Sequence, residues 1–190
     1  MTVSPTLDQR FREAAAAAGL LDVAYDFADT PVGTLLVATT ERGVCRISYD
    51  PEPERVAERL AEKFGVRVLR ATKPVDPVRR QLGEYFEGKR TEFELAIDLR
   101  VTGEFNREVL KRLARVPYGQ VTTYGALAAE AHRPKAARAV GVVMNRNPLP
   151  IVLPCHRVVG AHGSLVGYAG GLERKELLLK LEGAIDNTLL

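Results

Sequence analysis

The chain has 190 residues, of which 46% are hydrophobic and 27% charged, a composition typical of a globular protein and not of a disordered or fibrous one. Its formal net charge of +3 is unevenly divided, because residues 1–102 carry 15 basic and 17 acidic side chains while residues 103–190 carry 12 and 7. The sequence has no apolar run of about 18 residues and no secretory signal, and its two cysteines lack paired spacing. We therefore expect a cytoplasmic protein without a membrane span or a disulfide scaffold.

The N-terminal half predicts a mixture of strands and helices. In chain order, hydrophobic periodicity predicts a helix, three strands, two helices and a strand, at residues 9–18, 21–27, 34–39, 43–49, 54–64, 78–86 and 95–99. A short turn at residues 41–43 joins the second and third strands, and we expect the three strands to form an antiparallel meander. Strand signals almost stop after residue 101, so we predict two domains, 1–102 and 103–190, the first with an added N-terminal helix.

The C-terminal half is predicted to be mostly helical. Apolar spacing indicates a helix over residues 105–115, and Thr123 is suited to cap a second helix over residues 124–131. A turn through Pro134 leads to a third helix over residues 135–145, and these last two helices have the arrangement of a helix-turn-helix. The overall expectation is an α+β protein with an N-terminal antiparallel sheet and a helix-turn-helix in its C-terminal domain.

Basic residues and small residues mark the helix-turn-helix. Between Val109 and Arg157 there are eight basic residues and one acidic residue, Glu130, which is typical of a surface that binds a polyanion. On the helix over residues 135–145, small side chains surround Arg138 on the face opposite the apolar one. Such a face can approach the floor of a nucleic-acid groove closely. A solvated surface, or packing against another helix, is the alternative interpretation.

A thiol and an imidazole are adjacent at Cys155 and His156, behind the stiffening residues Pro150 and Pro154. A free thiol has a pKa of roughly 8.5, and only the thiolate is a good nucleophile, so a reactive cysteine needs a base or a cation beside it. His156 is the nearest candidate. The alternative is that Cys155 is a small buried residue and that its neighbour has no role.

The residues around Cys155 resemble the active-site segment of the O6-alkylguanine-DNA alkyltransferases. The resemblance includes residues 147–148, 154–158 and 167–172 and extends to residues 116–119, 134–141 and 182–183. The N-terminal half matches more loosely, mainly over residues 30–33. The family resemblance implies a ribonuclease H-like N-terminal domain and a C-terminal domain that carries the reactive cysteine.

The resemblance also implies a function, which is DNA repair by direct reversal of O6-alkylguanine and O4-alkylthymine damage. The damaged base is flipped out through the minor groove, and its alkyl group is transferred irreversibly and stoichiometrically to Cys155. The implied partner is double-stranded DNA, and the protein would act as a monomer, with cooperation along DNA left open. No cofactor is implied. No metal is expected either, because the zinc site of some relatives uses histidine and none occurs here before His132.

Roles for individual residues follow from matching positions in the family. Cys155 would accept the alkyl group, His156 would act as general base through a water molecule, and Glu182 would orient the imidazole. Asn147 would brace the active-site turn, and Tyr124 would donate a proton or a hydrogen bond to the leaving base. The implied substrate pocket consists of Met144, Pro150, Val158, Tyr168 and Ala169. The implied DNA contacts are Tyr124, Ala137, Arg138, Ala139 and Gly141.

Two of these matches have specific consequences for base recognition. Arg138 would occupy the space that the flipped base leaves in the duplex. Ala169 stands where some relatives have serine, so a hydroxyl contact to the O6 atom would be absent.

Three other functions are compatible with parts of the sequence. A DNA-lesion binder of the alkyltransferase-like type would lack the cysteine, so Cys155 argues against it. A cysteine hydrolase would take its histidine from elsewhere in the chain, and neither His132 nor His162 has a supporting motif. A helix-turn-helix regulator with a redox-active thiol would leave the matches at Asn147 and Glu182 unexplained.

Overall fold

The computed structural model describes residues 5–186, with side chains described from Leu7 onward. The chain divides into two compact units. The N-terminal unit comprises Met1–Glu87 and Phe93–Val101, and the C-terminal unit comprises Gly88–Glu92 and Thr102–Leu190. None of the helices described between residues 5 and 186 is long and apolar enough to cross a membrane.

The N-terminal unit is built on a four-stranded sheet. Its elements are α1 Pro5–Ala17, β1 Val23–Thr30, β2 Gly33–Thr40, β3 Gly43–Tyr49, α2 Val56–Phe64, β4 Val68–Arg70 and α3 Thr72–Phe86. The strand order is β3-β2-β1-β4. The first three strands form the predicted antiparallel meander, and β4 pairs in parallel with β1, so the sheet is mixed. The sequence did not predict β4 because three residues are too few to show an alternating pattern.

Helices α2 and α3 cover the sheet. The core cluster with α2 contains Val23, Leu36, Ala38, Cys45, Val56 and Leu60. Helix α3 packs on β1 and β2, and strand β2 is buried from Leu35 to Thr39, as expected for a central strand that is covered on both faces. Cys45 belongs to this core, where burial raises the pKa of its thiol to about 12.

Two helices begin earlier than their apolar patterns indicate. Helix α1 begins at Pro5 instead of residue 9, and α3 begins at Thr72 instead of residue 78. In α3, Pro74 lies in the first turn, where its missing N–H costs no helical hydrogen bond. Val75 is buried with Val78 and Leu82, so the apolar face of α3 begins before residue 78, and Pro77, which lies inside the helix, is the residue that conceals this start.

The predicted strand over residues 95–99 is not formed. This segment makes a single bridge between Ile97 and Val44, and its one buried residue is Asp98. The Asp98 carboxylate accepts a hydrogen bond from the Thr40 hydroxyl at 2.7 Å and pairs with Arg100 at 3.1 Å. Ile97 is 37% exposed. The alternation in the sequence is real, but the polar residue faces inward because it has partners there.

The C-terminal unit contains the predicted helix-turn-helix. Its elements are α4 Glu104–Leu113, β5 Thr122–Thr123, α5 Tyr124–Glu130, α6 Ala137–Asn145, β6 Val158–Val159 and α7 Leu172–Leu181. Helices α4, α5 and α6 pack together. The Thr123 hydroxyl caps α5 by accepting a hydrogen bond from the Ala126 N–H at 3.1 Å, as predicted. Helix α6 begins two residues later than predicted, because the Ala136 N–H bonds the Arg133 carbonyl at 2.8 Å and closes a turn first.

We predict that Gly43→Ala destabilises the N-terminal unit by more than about 2 kcal/mol. Gly43 has a φ of 128°, and a Cβ there would collide with the Ala96 backbone, which accepts the Val44 N–H at 2.9 Å. Gly19→Ala is the matched control, because Gly19 also has a positive φ, of 67°, with no atom in the way. Urea unfolding measures both variants, and an equal loss of stability in both would contradict this explanation.

Candidate active site

A hydrogen-bonded turn leads into Cys155. The Asn147 amide donates to the Leu153 carbonyl at 2.7 Å, and its carbonyl oxygen accepts the Leu149 N–H at 3.0 Å. The Leu153 N–H donates a hydrogen bond to the Leu149 carbonyl at 2.8 Å. The Cys155 N–H also donates to Leu153, at 2.8 Å, so the Leu153 carbonyl joins Asn147 to the backbone of the cysteine.

The same turn holds Ile151 in an unusual conformation. Its φ is 75°, which is rare and costly for a β-branched residue. Residues 149–160 are buried without interruption. The bonds made by Asn147 maintain this backbone, so the entry to Cys155 is a fixed structure and not an open loop.

Cys155 begins a short 3-10 turn, Cys155–Arg157, and is only 5% exposed. Burial raises the pKa of Cys155 to about 11, while hydrogen bonds with Asn147 and Tyr168 and the charge of Lys175 act in the opposite direction. The thiol is therefore protonated at neutral pH. Nucleophilic attack requires a base that removes this proton.

His156 and Glu182 form a buried pair. The His156 Nε2 atom lies 2.8 Å from Glu182 Oε1, and neither side chain is exposed. Burial by itself raises the pKa of Glu182, but hydrogen bonds from His156 and Arg157 lower it to about 2. The carboxylate is therefore ionised and accepts hydrogen bonds only, so Nε2 must carry the imidazole proton.

The other nitrogen of His156 is consequently the basic one. Burial lowers the pKa of His156, which keeps the imidazole neutral. With the proton on Nε2, the Nδ1 atom has a free lone pair. Nδ1 is buried and has no hydrogen-bond partner among the described residues. A neutral imidazole with one nitrogen held and the other available is the arrangement of a general base.

Arg157 is a component that the sequence did not predict. Its guanidinium binds the Glu182 carboxylate with two hydrogen bonds, from Nε at 2.8 Å and from Nη2 at 2.9 Å. Nη1 donates to the Val116 carbonyl at 2.6 Å. The sequence could have indicated this role, because Arg157 is a charged residue inside the largely apolar run from Leu153 to Val159. A buried guanidinium there requires an acidic partner.

Lys175 is a second component that the sequence did not predict. Its side chain is fully buried, and Nζ donates to the carbonyls of Val158 at 2.6 Å and Val166 at 2.9 Å. Burial lowers the pKa of Lys175, and its charge helps to lower the pKa of Cys155. The sequence signal that could have revealed it is helical spacing, because Lys175 lies three and four residues before the buried Leu178 and Leu179 and so shares their face of α7.

The pairing of β5 with β6 brings the start of α5 to this site. Thr122 and Thr123 pair in parallel with Val158 and Val159, so Tyr124 begins its helix directly beside them. The Tyr124 hydroxyl lies 3.2 Å from the carbonyl oxygens of both Val166 and Gly167. Burial raises the pKa of Tyr124, so the phenol keeps its proton and remains a donor.

The predicted pocket residues differ in exposure. Met144, Pro150 and Val158 are buried, Tyr168 is half-buried and contacts Cys155, and Ala169 is exposed. The Val158 carbonyl is already bound by Lys175.

The predicted DNA-contacting residues lie on or near the surface of α6. Arg138 and Ala139 are exposed, while Ala137 and Gly141 are half-buried. A Cβ added to Gly141 would lie 3.9 Å from the Tyr124 ring, in ordinary contact. The structure therefore brings the glycine of α6 and the tyrosine of α5 together. Among residues 5–186, no group of three or more histidine, cysteine, aspartate or glutamate side chains could hold a metal ion.

The fold and the site together define a class of protein in which a helix-turn-helix unit carries a buried cysteine, histidine and glutamate. Comparison with family models matches both units to domains of one family. Residues 23–99 match the ribonuclease-like domain of 6-O-methylguanine DNA methyltransferase, and residues 104–184 match its DNA binding domain.

Individual relatives match along most of their length. The methylated-DNA--protein-cysteine methyltransferase of Methanosarcina barkeri is 39% identical over 83% of this chain and 96% of its own, and that of Methanosarcina mazei is 50% identical over the same shares. The structure of Mycobacterium tuberculosis OGT in complex with DNA has a TM-score of 0.74 and 35% identity, over 85% of this chain and 93% of that one. The chain belongs to the 6-O-methylguanine DNA methyltransferase family.

We predict that Glu182→Gln lowers stability in a pH-dependent way. The folded-state pKa of about 2 lies below the ordinary value of 4.5, so the ionised carboxylate stabilises the fold above about pH 4.5 and this contribution disappears as the pH falls towards 2. The expected loss is about 3 kcal/mol at pH 7 and much less near pH 2.

The matched control for this prediction is Glu176→Gln on the same helix. Glu176 pairs with Lys180 at 2.8 Å near the surface, and we expect a loss below about 1 kcal/mol. Urea unfolding across this pH range measures both variants. A loss for Glu182→Gln that is the same at pH 7 and at pH 2.5 would contradict the assignment of an ionised, buried carboxylate.

Proposed function

We propose that this protein repairs DNA by direct reversal, transferring the alkyl group of O6-alkylguanine or O4-alkylthymine to Cys155. The observation that carries the proposal is the buried Cys155 thiol next to His156, whose Nδ1 is free to accept a proton. Family membership supports the same reaction. We assign this chemistry to the domain formed by residues 103–190.

The proposed reaction begins with a proton transfer. The Cys155 proton passes through a water molecule to His156 Nδ1, and Glu182 stabilises the imidazolium that results. The positive charge of Lys175 favours the thiolate over the thiol. Burial keeps the thiol protonated until the base acts, which suits a cysteine that must be spent only on its substrate.

The alkyl transfer follows. The thiolate attacks the alkyl carbon, the S–C bond forms, and the bond between that carbon and the O6 atom breaks, with its electron pair remaining on the guanine. Tyr124 donates a hydrogen bond or a proton to the departing base, for which its raised pKa keeps the phenol protonated. The product is a thioether, from which the site offers no way to regenerate the thiol. One molecule therefore repairs one lesion.

We propose that α6 binds the duplex from its minor groove. Ala137, Ala139 and Gly141 are small enough for the helix to approach closely, and Arg138 is exposed between them. Arg138 would fill the gap that the flipped base leaves in the duplex. Gly141 lies beside the Tyr124 ring, and this supports the assignment of the phenol to the edge of this surface.

We further propose that the protein acts as a cytoplasmic monomer. Both described cysteines are free thiols, which suits a reducing compartment. The proposed acceptor, base and DNA-contacting residues all belong to one unit of one chain.

We predict that Cys155 alone gains the alkyl group when the protein is mixed with duplex DNA containing O6-methylguanine. Mass spectrometry of the intact protein and its peptides should show one methyl group per molecule, on Cys155, and no further turnover. Cys155→Ala should transfer nothing. Cys45→Ala is the control and should transfer as the wild type does, because Cys45 lies in the core of the N-terminal unit. Repeated turnover with unmodified Cys155 would overturn the proposal.

We predict that Arg138→Ala slows repair of duplex DNA about tenfold to a hundredfold but changes reaction with the free modified base little. Unstacking a base costs a few kcal/mol, and only the duplex substrate requires it. Arg138→Lys is the control that keeps the charge, and it should recover DNA affinity more than repair rate. Rate constants for both substrates test this prediction. An equal loss of rate with duplex DNA and with the free base would contradict it and would assign Arg138 to folding or chemistry.

A further inference from the structure

The N-terminal unit contains a cavity of about 420 Å³ that the proposed reaction does not use. Strands β2 and β3 and helix α2 surround it. Leu36, Val56 and Leu60, which belong to the buried core, form an apolar part of its lining. Its volume is in the range of sites for small organic molecules.

Two side chains of β3 line this cavity without a polar partner. Arg46 and Ser48 are two residues apart, so they lie on the same face of the strand. Both are partly buried, and neither side chain makes a hydrogen bond or an ion pair with the side chains and backbone described between residues 7 and 186. A guanidinium has five N–H donors, and none of the Arg46 nitrogens is among the fully buried atoms without a partner, so these donors are accessible to a ligand in the cavity. Burial lowers the pKa of Arg46, and the charge of Arg59 acts in the same direction.

The other charges around the cavity belong to its rim. Arg59 and Lys63 are exposed, as are the three lining carboxylates, Asp50, Glu52 and Glu62. Glu52 is held outside by Arg59 at 2.7 Å and by Arg55 at 3.4 Å. Water screens these exposed groups. Arg46 is the one charged residue of the described lining that is not exposed, so the interior of the cavity is cationic and offers donors.

We infer that this cavity binds a small organic oxyanion, a carboxylate or a phosphate attached to an apolar group. The anionic oxygens accept hydrogen bonds from Arg46, whose planar fork matches either group, and from the Ser48 hydroxyl. The apolar group lies against Leu36, Val56 and Leu60. The site belongs to the N-terminal unit and is independent of alkyl transfer by Cys155.

Isothermal titration calorimetry with three probes tests the inference. Phenyl phosphate and benzoate carry the two candidate anions, and benzyl alcohol is their neutral counterpart. At least one anion should bind wild-type protein, one molecule per chain, while benzyl alcohol should not bind. Arg46→Gln should weaken the binding about tenfold to a hundredfold, as expected for the loss of a charged hydrogen-bond donor.

Two further variants keep the test decisive. Arg42→Gln is the matched control, because Arg42 is an exposed arginine of the β2–β3 turn that pairs with Glu41 outside the cavity, and it should leave binding unchanged. Ser48→Ala should weaken binding severalfold and serves if Arg46→Gln does not fold. Failure of both anions to bind wild-type protein would overturn the inference. The inference would also be overturned if a folded variant, Arg46→Gln or Ser48→Ala, bound the anion as tightly as the wild type does. A loss of affinity in Arg42→Gln as large as that in the cavity variant would overturn it as well.

Discussion

The candidate active site depends on the interactions of one buried group, the Glu182 carboxylate. It binds the His156 imidazole and the Arg157 guanidinium, and its Oε2 atom lies 3.4 Å from the Gly119 N–H. One anion at the end of α7 thereby fixes two consecutive residues of the cysteine segment and the turn before β5. Removing it would leave Arg157 as an uncompensated buried charge, the situation in which a buried ion pair matters most. The carboxylate sets the tautomer of His156 and also holds the backbone around Cys155.

Three pKa shifts in this site have one common cause and different outcomes. Burial raises the pKa of Cys155, lowers that of His156 and opposes the ionisation of Glu182. Only Glu182 has enough hydrogen bonds to reverse the effect of burial. The resting site is consequently a neutral thiol and a neutral imidazole beside a fixed anion. In the proposed reaction, proton transfer from thiol to imidazole would create a thiolate near Lys175 and an imidazolium against Glu182, so each new charge would form next to an existing opposite charge.

The sequence predicts features that depend on near neighbours and misses those that depend on distant ones. The meander, the Thr123 cap and the helix-turn-helix follow from local periodicity and capping, and the structure confirms them. The strand prediction over residues 95–99 was wrong because Asp98 is buried, and its hydrogen bond to Thr40 and its ion pair with Arg100 are visible only in the folded structure. Motif resemblance singled out Cys155, His156 and Glu182, but Arg157 and Lys175 require knowing that α7 packs against the cysteine segment.

The conformation of Ile151 shows how stability and reactivity are connected in this chain. A φ of 75° at a β-branched residue costs on the order of 1–3 kcal/mol, and the fold maintains it four residues before Cys155. The compensating bonds come from Asn147, whose side chain binds both ends of the turn. Asn147 also contacts the Cys155 thiol and lowers its pKa. One amide side chain therefore supports a strained backbone and an unfavourable ionisation together, which is why changing it should affect the position and the reactivity of the thiol at the same time.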